Sequence, residues 1–185
     1  MTGLFGGAFD PPHNGHVALV EAARQHFGLE HLFVFVVVVP GHRTVTLDFA
    51  ERFELASLAF GGLSGVEVVP EEHAYTVDAV ESGRYGDAIF LVGADEFAGF
   101  LGWKDPNRVL EHVRLGVATR PGYDPETSEA VLAELDRPNR VEFFDIPAVP
   151  VSSSEIRARL ARGEVARGLV PDAVADVIEA RGLYR

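Results

Sequence analysis

Residues 6–16 have the sequence Gly-Gly-Ala-Phe-Asp-Pro-Pro-His-Asn-Gly-His and join a strand-like segment to a helix-like one. Residues 2–6 predict a first strand, and Asn14–Phe27 predicts a helix that ends at Gly28. In an open α/β sheet, a loop between a strand and the next helix lies at the carboxyl edge, where ligands bind. This stretch therefore predicts a ligand site at the start of an α/β fold.

The residue types in this stretch favour a phosphate ligand. Gly6 and Gly7 permit a ligand to approach the backbone closely. Asn14 is expected to be the N-cap, so His16 lies in the first helical turn, where unpaired N–H groups and the helix dipole attract anions. His13 and His16 could instead be metal ligands, but a zinc site needs three or four ligands and the chain has no cysteine. Phosphate binding is favoured, with metal and structural roles as the alternatives.

The composition describes an acidic chain of 185 residues. Its length and a hydrophobic content of 47% predict a single domain, residues 1–185. A net charge of −12 argues against non-specific nucleic-acid binding, which needs a basic surface. The longest apolar run, residues 32–39, is too short to span a membrane, and no signal peptide is recognisable. We therefore expect a cytoplasmic protein that binds neither nucleic acid nor membrane, with homo-oligomerisation left open.

Strand-like and helix-like segments alternate along the chain. Five further apolar runs predict strands, at residues 32–39, 65–69, 87–92, 114–119 and 140–144. An unbroken apolar run such as residues 32–39 is typical of a strand buried on both faces of a parallel sheet. The alternation predicts an α/β fold with a Rossmann-like, doubly wound, mostly parallel sheet and a small helical C-terminal portion. In the amphipathic helix predicted at residues 47–60, Arg52 is expected to face solvent and Leu58 the sheet.

Polar residues follow the predicted fourth strand as well. The backbone at Gly93 could approach a nucleotide, and Asp95 could bind a hydroxyl or merely cap a helix. Trp103 is the only tryptophan, and it either belongs to the core or stacks on an aromatic ring from a polar turn. Thr76 is expected to cap a further helix.

A second polar stretch lies near the C-terminus, where residues 152–157 are Ser-Ser-Ser-Glu-Ile-Arg. Ser152 and Glu155 have the spacing of a capping box, so a helix is expected to start there. Arg157 in its first turn would oppose the helix dipole, unless a bound phosphate reversed the local charge. The hydroxyls, N–H groups and guanidinium would then converge on phosphate oxygens. A well-capped helix with a solvated arginine is the alternative.

Residues 6–16 resemble the H-x-G-H motif of the nucleotidyltransferase superfamily, and in full they resemble the nicotinate-nucleotide adenylyltransferases. Residues 151–157 are similar to that superfamily's I-S-S-T-x-x-R signature. A G-x-D at residues 93–95, then Trp103, then R-P-G at residues 120–122 occur in the order typical of the family. One segment departs, because residues 40–43 are shorter than the family's P-x-x-x-P-P-H-K loop.

The resemblance implies transfer of AMP from ATP to nicotinate mononucleotide, which yields deamido-NAD and pyrophosphate. Mg²⁺ would arrive on the ATP phosphates and keep most of its waters, so no protein metal site is implied. The implied catalytic residues are His13, His16 and Arg157. The implied ATP-binding residues are Gly6, Gly7, Ala8, Phe9, Gly93, Asp95, Ser152, Ser153 and Ser154. The implied mononucleotide-binding residues are Arg43, Thr76, Asp95, Trp103 and Arg120.

Three other functions are alternatives. The short segment at residues 40–43 leaves open the same chemistry on nicotinamide mononucleotide or another phosphate acceptor. A nucleotide-binding module without turnover is a second alternative. A nicotinamide-cofactor dehydrogenase is disfavoured, because G-x-G-x-x-G is absent and the second predicted strand lacks an acidic residue at its end.

Overall fold

A computed structural model describes residues 1–41 and 44–185. Within these ranges the strands are β1 Thr2–Gly7, β2 His31–Val37, β3 Val66–Glu71, β4 Ala88–Gly93, β5 Arg114–Thr119 and β6 Val141–Asp145. The helices are α1 Asn14–Phe27, α2 Phe49–Phe60, α3 Thr76–Glu81, α4 Ala94–Ala98, α5 Pro106–His112, α6 Pro125–Ala133, α7 Ser153–Ala161 and α8 Asp172–Arg181. None of the helices in this part of the chain is long and apolar enough to cross a bilayer.

The strands form one sheet in the order β3-β2-β1-β4-β5-β6, and every neighbouring pair is parallel. The winding reverses between β1 and β4, which is the position where open α/β sheets form a ligand crevice at the carboxyl edge. The predicted doubly wound parallel sheet is confirmed. The loops after β1, β4 and β5 all lie at this carboxyl edge.

Helices cover both faces of the sheet, which explains the apolar runs without alternation. Side chains alternate between faces along a strand, so in β4 Ile89 and Leu91 enter one core cluster while Phe90 and Val92 enter the other. The first cluster takes buried side chains from α1, α2, α7 and α8. The second takes them from α3, α4, α5 and α6.

The residue that caps the start of helix α1 lies one position earlier than expected. Its N-cap is His13 rather than Asn14. The side-chain amide of Asn14 donates to the carbonyl of Gly168 at 3.0 Å, and its backbone N–H donates to the carbonyl of Leu169 at 3.0 Å. Contacts with a segment 154 residues away therefore override the local capping preference of Asn14.

Helix α2 is oriented differently from the prediction. Arg52, expected in solvent, has only 1% of its surface exposed, whereas Leu58, expected against the sheet, is 39% exposed. The start of the helix follows ordinary capping rules, because the Asp48 carboxylate accepts a hydrogen bond from the Glu51 N–H at 2.9 Å. The orientation predicted for Arg52 and Leu58 was wrong because the guanidinium has backbone partners inside the fold.

Candidate active site

The loop between β1 and α1 together with the first turn of α1, residues 8–16, is called the motif loop below. Phe9 has a left-handed backbone with φ of +51°. Its side chain is 2% exposed and packs edge-on against the rings of Phe5 and His16, with centroids 5.6 and 5.2 Å away. Only the backbone of Phe9 is therefore available to an ATP molecule, although the residue was predicted to bind one.

The two histidines predicted as catalytic lie together at the end of the motif loop. The rings of His13 and His16 stack with centroids 3.6 Å apart and planes 15° apart. His16 Nδ1 accepts a hydrogen bond from the His13 backbone N–H at 3.2 Å, so a neutral His16 ring carries its proton on Nε2. A Cβ atom on Gly15 would lie 3.1 Å from His13 Nδ1, so glycine at this position makes room for the ring. The glycine of the H-x-G-H motif thus has a steric cause.

His13 is an uncharged member of this pair at neutral pH. Burial, followed by the nearby charge of Arg120, lowers the pKa of His13 to about 4. Its Nδ1 atom is buried and has no hydrogen-bond partner among residues 1–41 and 44–185. Because a neutral imidazole supplies hydrogen bonds but no charge, His13 can bind a phosphate only as a hydrogen-bonding group.

Helix α7 brings the second predicted motif to the first one. Ser152 is its N-cap and accepts from the Glu155 N–H at 3.2 Å, as the sequence predicts. Arg157 is the fifth residue of this helix and not part of its first turn, so the expected opposition to the dipole does not arise. One guanidinium nitrogen, Nη2, donates to the Ser154 hydroxyl at 3.2 Å.

The same helix holds the backbone of the motif loop. Arg157 Nη1 donates to the carbonyl of Asp10 at 2.7 Å, and the Ser153 hydroxyl donates to the carbonyl of Pro11 at 2.8 Å. These contacts join residues more than 140 positions apart in the chain. Arg157 and Ser153 therefore position the loop that carries the histidines, in addition to any contact they make with a ligand.

Sequence reasoning missed Arg52, which lies beneath the motif loop. Its Nη1 donates to the carbonyls of Ala8 at 2.8 Å and Val37 at 3.0 Å, and its Nη2 donates to Val38 at 3.1 Å. Burial lowers the pKa of Arg52, with Asp10 opposing that effect, but a guanidinium remains charged in proteins. No local pattern marks a buried arginine, since a charged residue on an amphipathic helix normally faces solvent.

The loop after β4 lies at the same edge of the sheet. Gly93 is the N-cap of α4, and a Cβ there would meet no described atom within 4 Å, so space is open in front of it. Asp95 lies exposed in the first turn of α4 and does not cap the helix.

The remaining predicted mononucleotide residues are spread over separate elements. Thr76 is the first residue of α3 and not its cap, which is Tyr75. Trp103 is half-buried, and its ring contacts Phe90 and Phe100 at centroid distances of 6.2 and 5.2 Å. The indole thus packs on the core and keeps some exposed surface, and its stacking on a ligand ring stays a prediction.

Arg120 is exposed directly after β5 and begins a tight turn. The Arg120 carbonyl accepts from the Tyr123 N–H at 3.0 Å, with Pro121 and a left-handed Gly122 between them, as in a type II turn. Its charge contributes to the lowered pKa of His13, so Arg120 lies near the histidine pair. Arg43, the other predicted cation, lies outside the described residues.

Fold and motif loop together define a nucleotidyltransferase of the α/β class. The cytidylyltransferase-like family model matches residues 4–159. A protein named probable nicotinate-nucleotide adenylyltransferase from Rubrobacter xylanophilus is 34% identical, over 100% of this chain and 92% of that protein. One of the same name from Bordetella avium is 36% identical, over 99% and 97%. The chain belongs to the nicotinate-nucleotide adenylyltransferase family.

A solved structure supports the fold. The nicotinic acid mononucleotide adenylyltransferase of Plasmodium falciparum, solved in complex with NaAD, superposes with a TM-score of 0.80 at 17% identity. The match covers 99% of this chain and 96% of that one.

Proposed function

We propose that this enzyme transfers the adenylyl group of MgATP to nicotinate mononucleotide in NAD biosynthesis. An oxygen of the mononucleotide's 5′-phosphate forms a bond to the α-phosphorus of ATP. The bond from that phosphorus to the oxygen bridging the β-phosphate breaks, and pyrophosphate leaves with that oxygen. The observation that carries this proposal is the stacked pair of His13 and His16 on a loop that Arg157 holds.

The chemistry needs positioned donors more than a protein nucleophile. The N–H groups of His13 and His16 would bind the α-phosphate and stabilise charge as the transition state forms. Arg157 would bind the β- and γ-phosphates, with the α7 N-terminal residues Ser152, Ser153 and Ser154 beside it. The backbone of residues 6–9 and Gly93 would follow the nucleotide, where open space at Gly93 supports the assignment.

Mg²⁺ is proposed as part of the ATP substrate. Among the described residues, no group of three or more His, Cys, Asp or Glu side chains is placed to hold a metal ion. An ion that keeps most of its waters and binds phosphate oxygens needs no such group. The protein would therefore hold Mg²⁺ indirectly, because its cations and N–H donors would bind the phosphates that carry the ion.

The mononucleotide would lie against Thr76, Asp95, Trp103 and Arg120. The exposed part of the Trp103 indole would stack on the pyridine ring. A cation or N–H group facing the ring's carboxylate would select nicotinate over nicotinamide, since the amide cannot replace that charge. The cytoplasmic location stays a prediction, and homo-oligomerisation stays open.

Pyrophosphate release from MgATP tests the function, with nicotinate mononucleotide and nicotinamide mononucleotide offered separately. We expect clear release with nicotinate mononucleotide and a lower kcat/KM with the amide. A reversed preference would keep the chemistry and reject the assigned acceptor. No release with either mononucleotide would reject the proposed function.

A further inference from the structure

Asp10 in the motif loop has a carboxylate that is 3% exposed. It accepts hydrogen bonds from the N–H of Thr46 at 2.6 Å, the N–H of Leu47 at 3.3 Å and the hydroxyl of Tyr184 at 2.9 Å. A buried carboxylate is stable only when donors of this kind replace its water. Three distant segments therefore meet at one group: the motif loop, the residues before α2 and the C-terminal end.

Tyr184 follows α8, is buried and has a left-handed backbone with φ of +67°. Such a backbone is uncommon outside glycine and needs compensating contacts. Burial and the Asp10 carboxylate raise the pKa of Tyr184, so its phenol stays protonated and donates throughout the neutral range. The segment after α8 is therefore tied to the motif loop by the hydrogen bond from Tyr184 to Asp10.

Asp10 is held from two directions. Its backbone carbonyl accepts from Arg157, and its carboxylate accepts from Tyr184 and the residues before α2. His13 follows three residues later and stacks on His16. Since small displacements of catalytic groups cost much of their rate enhancement, the Asp10 contacts bear directly on turnover.

We propose that Tyr184 is a positioning residue for adenylyl transfer, which acts through Asp10 to hold the motif loop against the residues before α2. The inference rests on the proposed function, because it assigns the histidines of that loop to the reacting phosphate. Tyr184 itself touches no substrate in this proposal.

The test compares Tyr184→Phe with Tyr85→Phe. Each variant loses one buried hydroxyl and keeps its ring, but the Tyr85 hydroxyl has no hydrogen-bond partner among the described residues. For Tyr184→Phe we expect kcat to fall about 10-fold while KM for MgATP changes less than about 2-fold, because the loss is in transition-state positioning. Tyr85→Phe should keep wild-type kcat.

Hydrogen exchange supplies a readout that does not depend on turnover. In Tyr184→Phe, amide exchange should be faster in residues 6–16 and 44–48 than in wild type or Tyr85→Phe. Asp10→Asn should lower kcat more than Tyr184→Phe does, because the new amide N–H would face a backbone N–H and two donors cannot form a hydrogen bond. If the two residues act as a unit, adding Tyr184→Phe to Asp10→Asn should cause no further loss.

Equal kcat values for Tyr184→Phe and Tyr85→Phe in an active enzyme would overturn the inference. The inference would also be overturned if the loss of kcat in the double variant were the product of the losses in Tyr184→Phe and Asp10→Asn. Absence of turnover by wild type would reject the proposed function, and the exchange measurement alone would then decide whether Tyr184 holds the loop.

Discussion

The motif loop and the surface around α3 to α5 are held in different ways. In the loop, three backbone carbonyls accept from buried or half-buried side chains on other elements, namely Arg52, Arg157 and Ser153. The α3–α5 surface consists of Tyr75, Thr76, Asp78, Asp95, Trp103 and Lys104. Its polar contacts are exposed, as in the pair of Lys104 with Asp78 at 2.8 Å.

This difference matches the two tasks proposed for the site. Stabilising charge in a transition state requires donors that are fixed before the substrate arrives. Binding a flat ring and a sugar tolerates side chains that adjust on contact. We therefore expect substitutions beneath the motif loop to act on stability and turnover, and substitutions on the α3–α5 surface to act on substrate affinity.

The largest effect is expected for Arg52→Met, which removes a buried guanidinium and leaves three partly buried carbonyls without their donor. The free energy of unfolding should fall by about 3–5 kcal/mol, the cost of removing one partner from a buried charged network. Urea unfolding measures it. Arg181→Met is the matched control, because Arg181 pairs with Glu54 at the surface, and it should change stability little. Equal losses in the two variants would contradict the role of Arg52.

The pH dependence of stability should reveal the buried His13. The unfolded chain takes up a proton near the ordinary histidine pKa of 6.5, whereas the folded protein does so only near 4. The free energy of unfolding therefore keeps its full value above pH 6.5 and decreases as the pH falls from 6.5 to 4. The linkage relation puts this decrease at about 3 kcal/mol. In His13→Asn this decrease should be absent, whereas His31→Asn, which changes an exposed histidine, should retain it. If the free energy of unfolding of His13→Asn depended on pH as steeply as that of wild type, the burial argument would be refuted.

His16→Ala should lower kcat about 100-fold, equivalent to about 2.7 kcal/mol, because it removes a donor to the developing charge. Pyrophosphate release under saturating substrates measures this effect. His26→Ala serves as the control, since His26 lies at the other end of α1 and is exposed. Near-normal turnover in a folded His16→Ala protein would exclude the catalytic role.

Trp103→Leu should raise KM for nicotinate mononucleotide about 10-fold with little change in kcat, because it removes stacking and keeps an apolar contact with the core. Trp103→Phe retains an aromatic ring and should recover most of the affinity. A fall in kcat at unchanged KM would show that Trp103 acts on turnover, as the motif loop does, and would contradict the proposed difference between the two regions.

The smallest effect is expected for Lys104→Met, which breaks an exposed ion pair with Asp78. The melting temperature should shift by less than about 2 °C, because surface ion pairs are screened and cost side-chain entropy. Calorimetry at low and high salt measures the shift. A larger loss that persists in high salt would show that the α3–α5 surface is held more firmly than its exposure suggests.

Much of the fold follows from local pattern. The strand β5 at Arg114–Thr119 was predicted to the residue, and α1 ends at a left-handed Gly28 as expected. These features depend on apolar periodicity and on backbone conformations that neighbouring residues determine. The serine cap of α7 was predicted for the same reason.

The candidate site was predicted only in part. His13, His16 and Arg157 were found from their motifs, but the motifs do not state that Arg157 bonds the carbonyl of Asp10. Arg52 was assigned to solvent, because its partners are strand-end carbonyls that come together only when β1 and β2 pair. The motifs also do not state that burial keeps His13 neutral.

The sequence by itself determined the α/β alternation, the ligand edge and the identity of the phosphate-binding motifs, because each rests on neighbouring residues. Tertiary structure alone decided which polar groups are buried together, such as the Asp10 carboxylate with the Tyr184 hydroxyl, 174 positions apart. Burial is a property of the packed chain. Desolvation therefore sets the protonation of His13, the position of Arg52 and the contacts of Asp10 only after distant segments have met.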